Sequence, residues 1–287
     1  MKIVITQTND DIIMGVAAAL SSIENVILWN PNTKPVMDMF DELSPDVLIC
    51  QQSSVTMPIK EAVSEHKKTK IVLFGVVPPA DLRVDLLCAP DNIPIQQMER
   101  LYKGNIAQLG RGADLARFSN GKAQARHSSD IFFLSDIPPN INNTASYNTL
   151  ARLTTHYRVK VLGPAPMPIA SYVGNADLKI VCDVIKSTKI AIDYDHKHCF
   201  DYAANKVFCL SNKQGMFPTI SSDCAIHDCA KYLNNDKARD NVIEANYDLV
   251  VNKHTYFHSV AEIFNKIGFE NIATKSLAKL QETLSNA

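Results

Sequence analysis

The sequence predicts an α/β protein of two parallel-sheet halves, on three observations. The chain has 287 residues, more than one hydrophobic core usually serves, so two cores of roughly 120 to 150 residues each are expected. Short β-branched runs alternate with amphipathic segments through the first part of the chain and again through the second, which is the pattern of strands joined by crossover helices. Between the two series, from Tyr102 to Ser129, glycine, serine, alanine and basic residues interrupt the alternation. A composition of 46% hydrophobic and 21% charged residues is that of a globular protein, and it excludes a disordered chain or a charged filament.

The first series opens with the strand KIVIT (2–6). The segment 11–23 follows with apolar residues at helical spacing, and Asn9 or Asp10 is placed to cap it. Further strands are read at 26–29, 46–50, 70–75 and 85–89, with helices at 35–43 and 58–68, each opened by a proline suited to the first helical turn. The second series has strands at 130–136, 159–163, 189–194 and 207–211. Helices are read at 144–157, within 176–188 and near 198–205, and the remainder is helical in tendency through 237–268. The expected boundary is 128/129, with residues 1–128 as one Rossmann-like domain and 129–287 as a second one with its terminal helices.

Lys+Arg 29 against Asp+Glu 30 gives a net charge of −1, which excludes a globally basic nucleic-acid binder but not a local basic patch. The seven cysteines lie in apolar runs with no CxxC pair and read as reduced core residues. Cys199 with His196 and His198, or Cys224 with His227 and Cys229, would be fragments of a zinc site, but each lacks a second half. No stretch has the length of a signal peptide's apolar core or of a membrane span, so no membrane partner and a cytoplasmic location are expected.

The most informative stretch runs from Asp177 to Ser211. It orders a helix, the strand KIAIDY, a polar turn, and then Phe200, Asp201, Tyr202, Ala203, Ala204, Asn205, Lys206 before an apolar strand. This resembles the FExxAxG motif in the donor domain of GT-B glycosyltransferases, particularly the spore-maturation-type family. His198 stands in place of the family's basic residue and Lys206 in place of its glycine. HTYFHSVAEIF (254–264) is similar to the family's closing TYxHR helix, with His258 matching and Ser259 replacing the basic residue. The resemblance covers roughly residues 130–268.

It implies a GT-B fold, two Rossmann-like domains with a C-terminal helical segment packing back on the N-terminal domain through Tyr256 and His258. It also implies a nucleoside-diphosphate sugar as donor. Asp201 would accept hydrogen bonds from the ribose hydroxyls, with helix N-terminal amides facing the diphosphate. The donor-binding set is then Ser135, Asp136, Gly163, Asp193, Tyr194, His198, Asp201 and Tyr202, since ligands of open α/β sheets gather at the carboxyl ends of strands. Asp193, Tyr194 and Asp195 also spell DxD literally, so a divalent cation is the alternative there, although no cofactor is expected to be obligatory. Loss of activity on chelation, restored by manganese, distinguishes the two.

The first half has no GxGxxG or P-loop after its first strand, and acceptor binding suits it better. Asp10 and Asp11 are the candidate catalytic carboxylates, with helix capping as the other reading of Asp10. Gln51, Gln52, Ser53 and Ser54 follow the third strand and are candidates to orient an acceptor. Arg100, Lys103, Arg111, Arg117, Lys122 and Arg126 face a single acid, Asp114, across residues 100–127. They form the candidate nucleic-acid-binding set, with a solvated charged linker as the alternative. In size and strand pattern the chain is similar to compact bacteriophage GT-B enzymes that glycosylate hydroxymethylcytosine. That similarity implies duplex DNA as partner, and host cytoplasm if the protein is phage-encoded. Competing classes are transfer to a glycan or small molecule, a non-catalytic two-lobed binding protein, and a sugar-phosphate epimerase of the related two-lobed fold using His227, His254 and His258.

Overall fold

The computed structural model describes residues 1–135, 144–194 and 197–286. The chain forms two compact units. One comprises Met1–Gly112 with Tyr256–Glu282, and the other comprises Ala113–Thr255 with the chain's end from Thr283.

The first unit runs β1 (Ile3–Thr6), α1 (Asp11–Ser21), β2 (Val26–Trp29), α2 (Val36–Leu43), β3 (Val47–Gln51), α3 (Met57–Glu65) and β4 (Lys70–Phe74). It continues with β5 (Leu86–Pro90), α4 (Ile95–Leu101) and β6 (Ile106–Leu109). Its sheet has the order β2-β1-β3-β4-β5-β6, with every strand pair parallel. Because alternate residues point to opposite faces, Val4, Leu48, Ile71, Leu73 and Leu87 share one face and pack on Met39, Phe40, Ile59, Ala62 and Met98 of α2 to α4. Residues of the other register, Ile3, Ile5, Val47, Ile49 and Val72, are equally buried. Sheets covered on both faces need such near-continuous apolar strands.

The second unit contains α5 (Leu115–Phe118), β7 (Ser129–Leu134), α6 (Thr144–Leu153), β8 (Val159–Leu162), β9 (Tyr172–Gly174) and α7 (Leu178–Lys186). Then follow β10 (Thr188–Asp193), α8 (Cys199–Ala204), β11 (Phe208–Ser211), α9 (Ala225–Leu233) and α10 (Asp236–Lys253). Its parallel sheet is ordered β11-β10-β7-β8-β9. Ile131, Phe133, Ile190, Ile192 and Phe208 build a core with Leu150, Leu153, Ala225 and Cys229 of α6 and α9.

Two helices, α11 (Tyr256–Lys266) and α12 (Glu270–Ser285), return to the first unit. There α11 packs against α1, β5 and β6. The hydroxyl of Ser276 donates to the Phe257 carbonyl, and Lys275 pairs with Glu24. The expected C-terminal segment on the N-terminal domain is therefore present.

The stretch 102–129 does contain the point at which the units separate, and it carries structure as well, since β6 completes the first sheet and α5 begins the second unit. The units divide at 112/113 and 255/256 rather than at 128/129. A contact that sequence composition does not show sets this division: the Ala113 N–H donates to the His254 carbonyl and Ala113 bridges Thr255, tying both ends of the second unit together. The helical tendency expected for 237–268 is met by α10 and α11, which are separated at His254 and Thr255. Among the described residues no helix is long and apolar enough to cross a membrane.

Candidate functional site

In the second sheet β7 leads to β8 and β9 on one side and the chain then returns to β10 and β11 on the other, so the strand order reverses between β7 and β10. Ligands of open parallel sheets bind in the crevice at the carboxyl ends of the two strands flanking such a reversal. Ser135 follows β7 there, Gly163 follows β8, and Asp193 ends β10.

Gly163 has φ +135, and a Cβ on it would lie 2.4 Å from the Ser135 carbonyl oxygen. The two strand-end loops thus meet backbone to backbone, as only glycine permits. Replacement of Gly163 by alanine is expected to cost about 2 kcal/mol, because left-handed strain adds to a clash with strand-end backbone that cannot swing away. Denaturant unfolding measures this cost, and an unchanged midpoint would sink the claim.

The remaining expected donor residues are engaged more heavily than their sequence pattern suggests. Ser135 is fully buried, and its hydroxyl donates to the Ala165 carbonyl at 2.7 Å. Oδ2 of Asp193 accepts the backbone N–H groups of His198 (2.6 Å) and Cys199 (2.8 Å). The amides opening α8, expected to face a diphosphate, are therefore capped by the protein itself. Asp201 is 4% exposed. Its Oδ1 accepts the Asp114 N–H at 2.7 Å, and its Oδ2 lies 3.0 Å from His198 Nδ1. Both carboxylate oxygens of Asp201 are thus engaged within the second unit.

Tyr202 is 1% exposed and meets Phe132 edge-on, and Tyr194 is buried against Phe133. Both belong to the core because strand and helix periodicity turns them inward. Asp136 and Asp195 lie outside the described residues. His198 keeps a side chain 18% exposed beside Asp201 and Phe118. Lys206, standing where the resembling motif has glycine, adopts φ +56. The left-handed conformation is thus retained by a lysine whose amine sits 4.5 Å over the Tyr247 ring and pairs with Glu244.

The sequence pattern does not mark Asp114. It is 3% exposed, bonds Arg117, and has a carboxyl pushed up to about 6, mainly by burial, with Asp201 adding repulsion and Arg117 opposing both. Nothing local marks such a residue, since its environment is built by α8.

In the first unit, Asp10 caps α1: its Oδ1 accepts the N–H groups of Ile12 and Ile13, both at 3.0 Å. Asp11 pairs with Arg111 at 3.3 Å. Oε1 of Gln51 accepts the Thr8 hydroxyl, and Oε1 of Gln52 accepts the N–H groups of Val76 and Val77. A cavity of about 160 Å³ includes Asp10 and Gln51 in its lining. A larger one, about 460 Å³, opens near Ser44, Asp46 and Lys68 at the amino-terminal edge of that sheet, so volume alone does not locate the chemistry.

Of the basic set, Arg100, Lys103 and Arg111 belong to the first unit and Arg117, Lys122 and Arg126 to the second. Arg111 and Arg117 form ion pairs, Lys103 Nζ donates to the Glu99 carbonyl, and Arg126 donates to Gln124. The stretch is folded into elements of two units and is not one continuous basic loop.

All seven cysteines are free, and six are buried. Cys199 and Cys209 lie with their Sγ atoms 3.4 Å apart, and burial pushes both thiols up, which leaves them protonated.

No protein-family profile matches the chain, and no curated protein matches it. Solved structures are similar over nearly the whole length. Anabaena Alr3699/HepE in complex with UDP and glucose has TM-score 0.59 at 7% identity, covering 100% of both chains. UDP-GlcNAc 2-epimerase from Neisseria meningitidis bound to UDP-GlcNAc has TM-score 0.54 at 10% identity, again covering 100% of both. The glycosyltransferase of kitacinnamycin has TM-score 0.54 at 6% identity, covering 92% of this chain and 98% of that one. At such identities the likeness establishes the fold, two Rossmann-like α/β domains of GT-B type.

Proposed function

We propose that the chain is a nucleotide-sugar enzyme, a glycosyltransferase, whose second unit holds the donor at the carboxyl ends of β7, β8 and β10. The observation that carries this reading is the strand-order reversal between β7 and β10, which brings the Ser135–Gly163 contact and His198 to one edge of the sheet. It gains support from similar folds whose structures hold UDP with glucose or UDP-GlcNAc. In this reading the Ser135–Gly163 backbone contact holds the two strand-end loops that border the donor, and His198, the solvent-reaching member of the His198–Asp201 pair, contacts its polar groups. Asp201 fixes the ring of His198, and Asp193 fixes the turn before it. The acceptor hydroxyl falls to the first unit, with Asp10 as the base, since Asp11 is paired with Arg111.

UDP is expected to bind the purified protein saturably in calorimetry, and His198→Ala is expected to weaken it about tenfold, the loss of one hydrogen bond to a charged group. Absence of any UDP heat would remove the reading. Mass spectrometry then separates the chemistries. Transfer yields free nucleoside diphosphate and a heavier acceptor, whereas epimerisation yields a sugar nucleotide of unchanged mass. Hydroxymethylcytosine duplex DNA, the acceptor expected from the sequence, is one arm of that assay. Its glycosylation should weaken with rising salt and on charge reversal at Arg111, Arg117 and Arg126.

A further inference from the structure

A cavity lies over the carboxyl ends of β3 to β6. Phe74, Ala89 and Leu109 supply nearly fully buried apolar surface, and Ile12, at the start of α1, adds to it. At about 160 Å³ it matches an apolar protein cavity of roughly 150 Å³, which is enough for one benzene ring. Its polar lining is sparse. Asp10 uses Oδ1 for the helix cap, and its Oδ2 makes no hydrogen bond among the described residues. Gln51 uses Oε1 for Thr8. The rim is preformed, because Gln52 holds the Val76 and Val77 amides and a Cβ on Gly75 would lie 2.3 Å from Gln52 Oε1.

We propose that this cavity binds the ring of a small aromatic alcohol or phenol, with Asp10 Oδ2 accepting its hydroxyl. A nucleobase fits less well. Its ring edge carries several donors and acceptors that these walls cannot match, and each group left unsatisfied loses its hydrogen bonds to water without replacement. That the bound alcohol is the acceptor of sugar transfer rests on the function proposed above, whereas its binding does not.

The test is direct binding without donor. Protein with labelled isoleucine and leucine methyls is titrated with benzyl alcohol, 5-hydroxymethylcytidine and methyl glucoside, and separately with UDP. Benzyl alcohol should shift the methyls of Ile12 and Leu109 saturably, with Kd on the order of 1 mM for so small a ligand. The nucleoside should bind at least about tenfold more weakly. Methyl glucoside should leave those methyls unmoved. Ala89→Leu, or Leu109→Phe if the first variant does not fold, should abolish the shifts by filling the cavity. Asp10→Asn keeps a helix cap but removes the charge, and should weaken benzyl alcohol about three- to tenfold.

Absence of saturable shifts in the wild type, undiminished binding in a filled-cavity variant, or equally tight binding of the nucleoside overturns the proposal. UDP binding without ring binding removes this inference alone. Ring binding by a protein that ignores UDP upholds the cavity and removes the transferase reading.

Discussion

Replacing Gly15 by alanine is expected to destabilise the first unit by about 2 kcal/mol, although alanine is the better helix former by about 1 kcal/mol. Gly15 lies inside α1, and a Cβ there would sit 2.1 Å from Cε2 of Tyr256, the first residue of α11. Tyr256 is itself buried, at 5% exposure, so its ring cannot step aside into solvent. The helix tolerates glycine because the tyrosine ring occupies the missing side chain's place. In a Tyr256→Ala background the clash is gone, and the same Gly15→Ala change should become stabilising by about 0.5–1 kcal/mol through helix propensity alone. Calorimetry on the four proteins of this cycle reads the reversal of sign, at roughly 4 °C per kcal/mol for a unit of this size. If Gly15→Ala had the same effect in both backgrounds, the contact would carry no such energy.

Asp114 is expected to make the second unit less stable as pH rises. Its folded carboxyl titrates at about 6 against an ordinary 3.8. Below about pH 4 both states are protonated and the buried neutral acid costs little. Between pH 4 and 6 the unfolded chain ionises first, so stability is lost as pH rises, and above the folded value the loss is complete. At 1.36 kcal/mol per unit the total is about 3 kcal/mol. Asp114→Asn should therefore gain on the wild type by about that amount between pH 4 and pH 7.5, whatever the offset from the lost Arg117 pair. Calorimetric melts of both proteins at the two pH values measure the difference of differences, and a value near zero would show that burial does not hold this proton.

Much of the architecture is legible in the sequence because it follows from local rules. Strands β1, β3, β4, β7, β10 and β11 are short apolar runs bounded by breakers, and the Asp10 cap and the helical spacing of 11–23 announce α1. The strand β6 is not legible: IAQL is flanked by Asn105 and Gly110 within basic, glycine-rich sequence, and only pairing with β5 makes it a strand. The candidate site was legible as a region. Gly163, Asp193 and His198 lie at strand ends and in the turn after β10, and Asp201 in the helix α8 that follows, yet their bonding partners are not readable from the sequence. Asp201 takes its hydrogen bond from Asp114, 87 residues away, and a motif names an acid without naming what it binds.

Two parallel α/β cores follow from local sequence, since alternation, capping and proline placement act within a few residues of chain. The tertiary structure alone decided which unit each segment joins. Ala113 meets His254, and Gly15 meets Tyr256 from the far end of the chain. It alone also decided which carboxylates are engaged, because a buried acid's role is set by the donors that packing brings to it, and these arrive from distant elements.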